Sequence, residues 1–320
     1  MRSVQRVRAG VCAATVMLVT ACAPGSYAVR NPAPSGIAFS QAQPESQLVF
    51  VDSRSGSDRV FFSGTLPVTL TLDGSPVDPA GYLSKNLQAE LSSRGVPTQV
   101  TQSGETFPRL DLKTFRMQNH RTNAYTPFVS FTFVSGELET ATGKQRLGVF
   151  VKRGKVPVWS FDEIIEPTLN EPLSLAVKEL STKIAGRLYG ARSNDAEVDR
   201  LVAKLGKRSD ASYLDVYALG FTNNARAVPT LVALAKDDDE YVRIAAISSL
   251  GTLGANDQLE LLKSIASSGN LWQDRAMALK AIGDLGSPEA QAYLNEQRTA
   301  LQAKGDKEAT WSMQVINLYM

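Results

Sequence analysis

The chain of 320 residues contains only two cysteines and one histidine, His120. No Cys or His residues have the spacing of a metal site, and neither a Gly-rich phosphate loop nor a Gly-x-Ser-x-Gly motif occurs. His120, in the polar stretch Gln118–Arg121, lacks the partners that a metal ligand or general base needs. We therefore predict no catalytic residue, no metal site and no cofactor, and a protein that is not an enzyme.

A strong net charge is also missing. Lys and Arg number 34 against 32 Asp and Glu, a formal net charge of +2. Removing Arg2, Arg6 and Arg8, which lie in an N-terminal signal (below), leaves 31 basic against 32 acidic side chains, a net charge of −1. This balance argues against a nucleic-acid partner.

Two groups of carboxylates are candidates for chemistry. Asp162, Glu163 and Glu166 could act as paired carboxylates in glycan hydrolysis, but they flank an apolar pair in a strand-to-helix connection, which favours a solvated loop. Asp237–Asp239 lacks the ligand spacing of a calcium loop and is expected to cap the next helix.

Long apolar runs are absent, and the N-terminal one is too short to span a membrane comfortably. Three arginines precede an apolar core from Val11 to Val19, and the small residues Thr20-Ala21 follow. This order is typical of a cleaved export signal, which we place at residues 1–21.

The end of this signal, Val19-Thr20-Ala21-Cys22, resembles the lipobox of bacterial lipoproteins, although Val19 stands where Leu is commonest. The resemblance implies that cleavage occurs before Cys22, that its thiol carries diacylglycerol, and that the new amino terminus gains a further acyl chain such as palmitate. Each buried methylene contributes ~0.8 kcal/mol, so two or three chains attach the protein permanently to the bilayer. The alternative is an ordinary secretory signal with an incidental Cys.

Sorting and redox state follow from the same stretch. Ala23 follows Cys22, at the position where an Asp would resemble the inner-membrane retention signal of lipoproteins. Ala at this position favours an outer-membrane protein that faces the periplasm. With Cys12 removed and Cys22 acylated, the mature chain has no free thiol and no disulfide.

The length suggests two domains. Residues 22–46 would be the acylated Cys22 and a flexible tether, because they contain four prolines and no periodicity. Such a coil spans ~25–30 Å on average.

Residues 47–191 predict an α+β domain, with two helices on one side of a mostly antiparallel sheet. The first helix begins at the N-cap Asp78 and ends at Gly95, and the second runs from Glu171 to Leu188 and is closed by Gly190. A β-hairpin turns at Gly143 with a positive φ, an irregularity falls near Lys113, and Val156–Trp159 is expected as an edge strand.

The stretch from Leu83 to Pro97, Leu-Ser-Lys-Asn-Leu-Gln-Ala-Glu-Leu-Ser-Ser-Arg-Gly-Val-Pro, resembles the first helix of small envelope lipoprotein domains. YajG-type lipoproteins and auxiliary lipoproteins of envelope transport systems share the pattern, which also fits Leu173–Leu188. The resemblance implies a binding or assembly module.

Residues 192–320 predict an all-α repeat domain. The triplets Ala218-Leu219-Gly220, Ser249-Leu250-Gly251 and Ala281-Ile282-Gly283 recur at spacings of 31 and 32. With the acidic turn and Val-Arg before them, they resemble the short HEAT-like repeat first noted in phycobilin lyases. This implies a solenoid with units at 210–236, 239–268 and 271–303, and capping helices near 195–206 and 307–319.

Four residues of the repeats are expected to be structural. Arg243 and Arg275 would bond to acidic or carbonyl groups of a neighbouring unit, and Gly251 and Gly283 would end the first helix of a unit and permit the turn. The C-terminal stretch from Trp311 to Met320 is expected to pack as a cap, and an exposed partner-binding helix is the alternative.

These features together predict a membrane-anchored periplasmic scaffold that binds another envelope protein through the solenoid. The alternative is an auxiliary component of a lipid or solute transport system, which the resemblance of 47–191 supports. An enzyme acting on envelope glycans would need a pocket around Asp162, Glu163 or Glu166.

Overall fold

The computed structural model describes residues 25–40, 45–104, 107–123 and 125–320. The predicted signal peptide and Cys22 lie outside this range and stay predictions. An α+β half is followed by an all-helical half, as the sequence predicts. Within the described ranges, no helix is both long enough and apolar enough to cross a membrane.

The α+β half contains a mixed sheet and a small second sheet. The main sheet has the order β6-β2-β7-β8-β9, with β3 beside β7, and the small sheet has the order β1-β4-β5. The strands are β1 (Gly25–Ala28), β2 (Ser46–Asp52), β3 (Phe62–Gly64), β4 (Val68–Leu72), β5 (Ser75–Pro76), β6 (Thr98–Thr101), β7 (Arg109–His120), β8 (Phe128–Thr140) and β9 (Gly143–Lys155).

The helices follow the predicted order. In the first half they are α1 (Pro79–Ser93) and α2 (Glu171–Tyr189), and in the second half α3 (Asp195–Leu205), α4 (Ser212–Gly220), α5 (Val228–Leu234), α6 (Glu240–Thr252), α7 (Leu259–Ser268), α8 (Trp272–Leu285), α9 (Pro288–Lys304) and α10 (Lys307–Ile316). Short 3-10 turns occupy Gly56–Arg59, Phe161–Ile164, Ala225–Ala227 and Asn256–Gln258, and a π-helical turn occupies Glu166–Asn170.

The prediction of a mostly antiparallel sheet is only half right. The long strands β7, β8 and β9 pair antiparallel, but β2 pairs parallel with both β6 and β7, and β3 pairs parallel with β7. Strand β6 is parallel to β2 because the chain returns through α1, and parallel neighbours need such a crossover.

The predicted helix caps and turns of the α+β half are confirmed. Asp78 accepts a hydrogen bond from the backbone N–H of Gly81 at 3.1 Å and caps α1. Gly143 turns the hairpin with φ +145, and α2 ends at Gly190 with φ +58. The irregularity near Lys113 is a register shift between Leu112 and Thr114. The prediction of an edge strand at Val156–Trp159 is wrong, because β9 ends at Lys155 and the chain then forms a loop.

Residues 25–40 do not form the flexible tether that the prolines suggested. Strand β1 pairs with β4, and Val29 and Phe39 are each only 5% exposed. The backbone N–H of Phe39 donates to Arg94 O at 2.9 Å, and that of Ser40 to Arg192 O at 2.8 Å. Single apolar side chains between the prolines therefore fix this segment to the folded chain, although they form no periodic pattern.

The helical half consists of three helix pairs, α4/α5, α6/α7 and α8/α9, flanked by α3 and α10. Asp239 caps α6 by accepting from the N–H groups of Tyr241 and Val242, as expected for the acidic turn. This is the architecture of a HEAT-like solenoid.

The repeats wrap around the edge of the sheet. Tyr241 of α6 donates to Gly154 O of β9 at 3.0 Å, and Arg146 of β9 donates to Met320 O at 2.6 Å. Phe131 of β8 lies 5.5 Å from the ring of Trp272 and 5.0 Å from that of Trp311. One continuous hydrophobic core runs through both halves, so the sheet and the repeats are packed as one body.

Candidate functional site

A buried network of four charges joins the two halves. Glu179 and Lys183 lie one turn apart on α2, and Lys280 and Asp284 lie one turn apart on α8. The Nζ of Lys183 lies 2.6 Å from Glu179 Oε1 and from Asp284 Oδ1. The Nζ of Lys280 lies 2.5 Å from Glu179 Oε1 and 2.7 Å from Asp284 Oδ2. Opposite charges therefore alternate around a ring.

Neutral groups complete this charge network. Tyr319 donates its hydroxyl to Asp284 Oδ1 at 2.7 Å, and Lys280 donates to Ser248 Oγ at 2.8 Å. The side chains of Lys280 and Glu179 are completely buried. Burial at this level is tolerated only when the charges are paired and hydrogen-bonded. Each of the four charges is paired here. Of the carboxylate oxygens, Glu179 Oε2 accepts no hydrogen bond among the described residues, and Asp284 Oδ2 meets Lys280 in an ion pair.

The ionised state of the charge network follows from its pairing. Burial alone would raise the pKa of Asp284, but Lys183 and Lys280 outweigh burial and lower it. Burial would lower the pKa of Lys280, but Asp284 and Glu179 outweigh burial and raise it. For Lys183 burial prevails, and its pKa is lowered. These pKa shifts are those of a structural ion-pair network, which fixes the position of α8 on α2.

A groove opens where the N-terminal segment crosses α2 and α4. Its volume is about 560 Å³. One wall is the extended segment 30–37, and the floor and opposite wall carry the apolar side chains Leu175, Leu214, Ala218 and Phe221. Binding sites for small ligands and peptide side chains have this size and lining.

Lys178 gives this groove a cation. Its pKa is lowered by burial, partly offset by the charge of Glu90. No carboxylate of the described residues lies within ion-pair distance of Lys178, whereas Arg30 at the groove is paired with Glu166 at 2.6 Å. The other carboxylate of the lining, Glu171, is paired with Arg153 at 3.2 Å. The groove therefore suits an apolar group that carries a negative charge beside it.

Arg243 and Arg275 make equivalent contacts in successive units. Arg243 donates through Nε to Asp274 Oδ2 at 2.9 Å and through Nη1 to Asp237 O at 2.7 Å. Arg275 donates through Nη2 to Glu308 Oε2 at 2.8 Å and through Nη1 to Gly269 O at 2.7 Å. Each arginine thus ties its own entry loop to the following helix pair or cap.

Gly251 and Gly283 do not end their helices, so the predicted turn role is wrong. They lie inside α6 and α8, and the turns fall at Gly254 and Gly286, with φ +64 and +65. A Cβ on Gly251 would lie 2.5 Å from Ala281 Cα, and one on Gly283 would lie 2.4 Å from the Tyr319 ring. Both glycines permit close packing.

The residues considered for catalysis are engaged in structural contacts. Glu163 accepts from the N–H groups of Val158, Trp159 and Ser160, and these bonds lower its pKa. Glu166 pairs with Arg30. His120 lies 2.7 Å from Lys307 Nζ, and burial and this cation lower its pKa. Within the described residues, no group of three or more His, Cys, Asp or Glu could hold a metal ion.

The sequence-based predictions missed both the charge network and the groove. Lys280 and Asp284 stand in residues 276–285 of α8, where the other residues are small or apolar, and a charge in such a run signals a buried partner. The partner, on α2, is about a hundred residues away, and the groove needs residues 30–37, which the sequence predicts to be part of a tether.

Comparisons with known proteins support the repeat architecture of the helical half. A family model described as HEAT repeats matches residues 199–281. No curated protein matches the chain at a significant level. One solved structure, described as the crystal structure of an uncharacterized protein, covers 52% of this chain and 99% of its own at 15% identity, with a TM-score of 0.30.

Proposed function

We propose that this protein is a periplasm-facing lipoprotein, held in the outer membrane through acylated Cys22, that binds another envelope protein. The observation that carries the binding role is the groove between residues 30–37, α2 and α4. It combines elements of both halves, so the two halves must be joined for it to exist.

The groove replaces the inner face of the solenoid as the proposed binding surface. That inner face is filled by this chain's own hairpin: Tyr213 of α4 bonds to Arg153 at 2.7 Å, Tyr241 of α6 bonds to Gly154, and Trp272 of α8 packs on Phe131. A partner would have to displace β8 and β9 to reach it.

The chemistry of the groove suggests what the partner presents. An apolar side chain would bury against Leu175, Leu214 and Phe221, and an acidic side chain or terminal carboxylate would reach Lys178. Burial of one large apolar side chain contributes ~1.5–3 kcal/mol, so an apolar side chain of the partner in this groove would strengthen binding.

A pull-down from crosslinked cells tests this role. Leu214, 36% exposed, lies in the groove, whereas Leu271, 42% exposed, lies at the start of α8. We expect the recovery of the partner to fall at least tenfold with Leu214→Asp and to stay unchanged with the matched control Leu271→Asp. Equal recovery with both variants, at equal protein levels, would remove the groove from the proposal.

The same groove also supports the transport alternative, because an apolar floor can hold a lipid chain instead of a protein side chain. Lipid extracted from purified wild-type protein, and missing from Leu214→Asp, would favour an auxiliary role in lipid transport. Protein recovered without lipid favours the scaffold.

A further inference from the structure

Three large side chains project from one end of the main sheet. Trp159 is 93% exposed, Tyr125 91% and Val158 65%. Val158 and Trp159 follow the end of β9 at Lys155, and Tyr125 precedes the start of β8 at Phe128, which is paired with Lys155. The three side chains therefore share one end of the sheet, which we call the aromatic edge.

The aromatic edge is held in place. The carboxylate of Glu163 accepts from the backbone N–H groups of Val158 at 3.0 Å, Trp159 at 2.8 Å and Ser160 at 3.1 Å. On the other loop, Asn123 Oδ1 accepts from the N–H of Tyr125 at 2.9 Å. These loops therefore present their apolar side chains to solvent in fixed turns, and exposed apolar groups of this kind mark interaction surfaces.

The N-terminal strand begins at the same end of the molecule. Gly25 pairs with Val68, and Leu66 bonds to the side chain of Asn119, the residue before the end of β7. The ring of Tyr27 lies 5.8 Å from that of Phe161, two residues after Trp159. Because Cys22 precedes Gly25 by three residues, the chain between them spans at most ~11 Å.

We propose that Tyr125, Val158 and Trp159 insert into the interface of the bilayer that holds Cys22, and so orient the protein on the membrane. This inference rests on the proposed acylation of Cys22. Trp and Tyr favour the level of the lipid headgroups, where an apolar ring and a polar group are both accommodated. An anchor alone would leave the protein free to rotate, whereas two loops beside it define one membrane-facing end.

The charges around the aromatic edge indicate what kind of membrane contact this is. Lys155 and Asp162 are exposed beside the Trp159 loop, which also carries Glu163. Arg121 lies at the same end, 5.2 Å from the ring of Phe161. With both signs present, attraction to anionic lipid is weak, and apolar burial drives insertion. Contact should therefore occur on zwitterionic vesicles and change little with salt.

Quenching by brominated lipid tests the inference with the mature, acylated protein in phosphatidylcholine vesicles. Of the three tryptophans, Trp272 is packed against Trp311, and Trp159 is exposed. We expect brominated lipid to reduce the tryptophan fluorescence of the wild-type protein by up to the share that one tryptophan contributes. Trp159→Ser should lose at least two thirds of this quenching. The matched control is Phe107→Ser, which changes a 52% exposed aromatic before the start of β7, at the far end of the sheet. It should be quenched as the wild type is.

The outcomes separate the aromatic edge from the anchor. Equal quenching of wild type and Trp159→Ser, with Cys22 acylated by mass spectrometry, overturns the inference and leaves the anchor standing. If Cys22 carries no lipid, the anchor fails, and with it the inference. Loss of a protein partner from Trp159→Ser without lipid quenching in the wild type also overturns it, because the edge is then a protein contact.

Discussion

Lys280 keeps its charge in the centre of the molecule because four side chains and a carbonyl compensate for lost water. Glu179 and Asp284 supply negative charge, and Ser248 and Thr252 accept hydrogen bonds from the same ammonium group. A buried ion pair adds little stability compared with a well-packed apolar pair, but removing one partner leaves the other charge uncompensated. Its value therefore lies in fixing one arrangement of α2 and α8.

Replacing Asp284 with Asn should show this cost. The change keeps the shape of the side chain but leaves Lys183 and Lys280 facing one carboxylate. We expect the free energy of unfolding to fall by about 3–5 kcal/mol in urea titrations. The matched control is Asp199→Asn in the exposed pair with Arg226, which should change the free energy of unfolding far less, because water screens both charges. Equal effects of the two changes would contradict a locking role.

The same pair of variants gives a pH signature. Since Lys183 and Lys280 lower the folded pKa of Asp284, its contribution to stability is present above the unfolded pKa of about 3.9 and is lost as pH falls through the lower folded pKa. The wild type should thus lose more stability on acidification than Asp284→Asn. A parallel decline of both proteins would show that the carboxylate is not ionised in the fold.

The helices α6 and α8 approach their neighbours through glycine. Gly251 faces the backbone of Ala281, and Gly283 faces the ring of Tyr319, whose other side lies against Gly148 of β9. The C-terminal tyrosine thus fills a slot between a helix and a strand, and its hydroxyl reaches Asp284. A side chain at Gly283 would close this slot.

We expect Gly283→Ala to destabilise the protein by about 1–3 kcal/mol, because its Cβ would overlap the Tyr319 ring. Gly206, which has helical φ at the end of α3 and meets only Ala203 O at 3.2 Å, provides the control. Gly206→Ala should be neutral or stabilising, since Ala favours helix. The measurement is thermal unfolding, and comparable losses for both would argue against the slot.

The difference between predicted and observed glycine roles shows what local sequence can determine. Asp78, Gly143 and Gly190 were placed correctly because caps and turns depend on a few adjacent residues. The recurrence of Gly251 and Gly283 identified the repeat, but a glycine in a turn and one in a contact look alike in sequence. Only the position of Ala281 and Tyr319 distinguishes them.

The two halves form one packed body around the edge of β9. Tyr241 donates to Gly154 O of that strand, Arg146 of the strand donates to Met320 O, and Trp272 and Trp311 cover Phe131. The sequence predicted two domains from length and composition, and it identified both architectures. It could not show their union, because each half alone has an ordinary apolar pattern.

Unfolding should accordingly occur in one transition. Calorimetry of the mature chain is expected to give a single peak, since neither half can lose its structure without exposing the shared core. A fragment of residues 25–191 should aggregate, because an uncovered edge strand pairs with other copies. A soluble, monomeric fragment with its own sharp transition would contradict the shared core.

Strand β9 lies in the middle of the chain, and the groups that cover its edge come later, the last of them near the C-terminus. A chain exported from its N-terminus delivers the strand before its cover, so the sheet is open to misassembly until the C-terminal helices arrive. A periplasmic chaperone that holds unfolded chains would therefore be needed most at this stage.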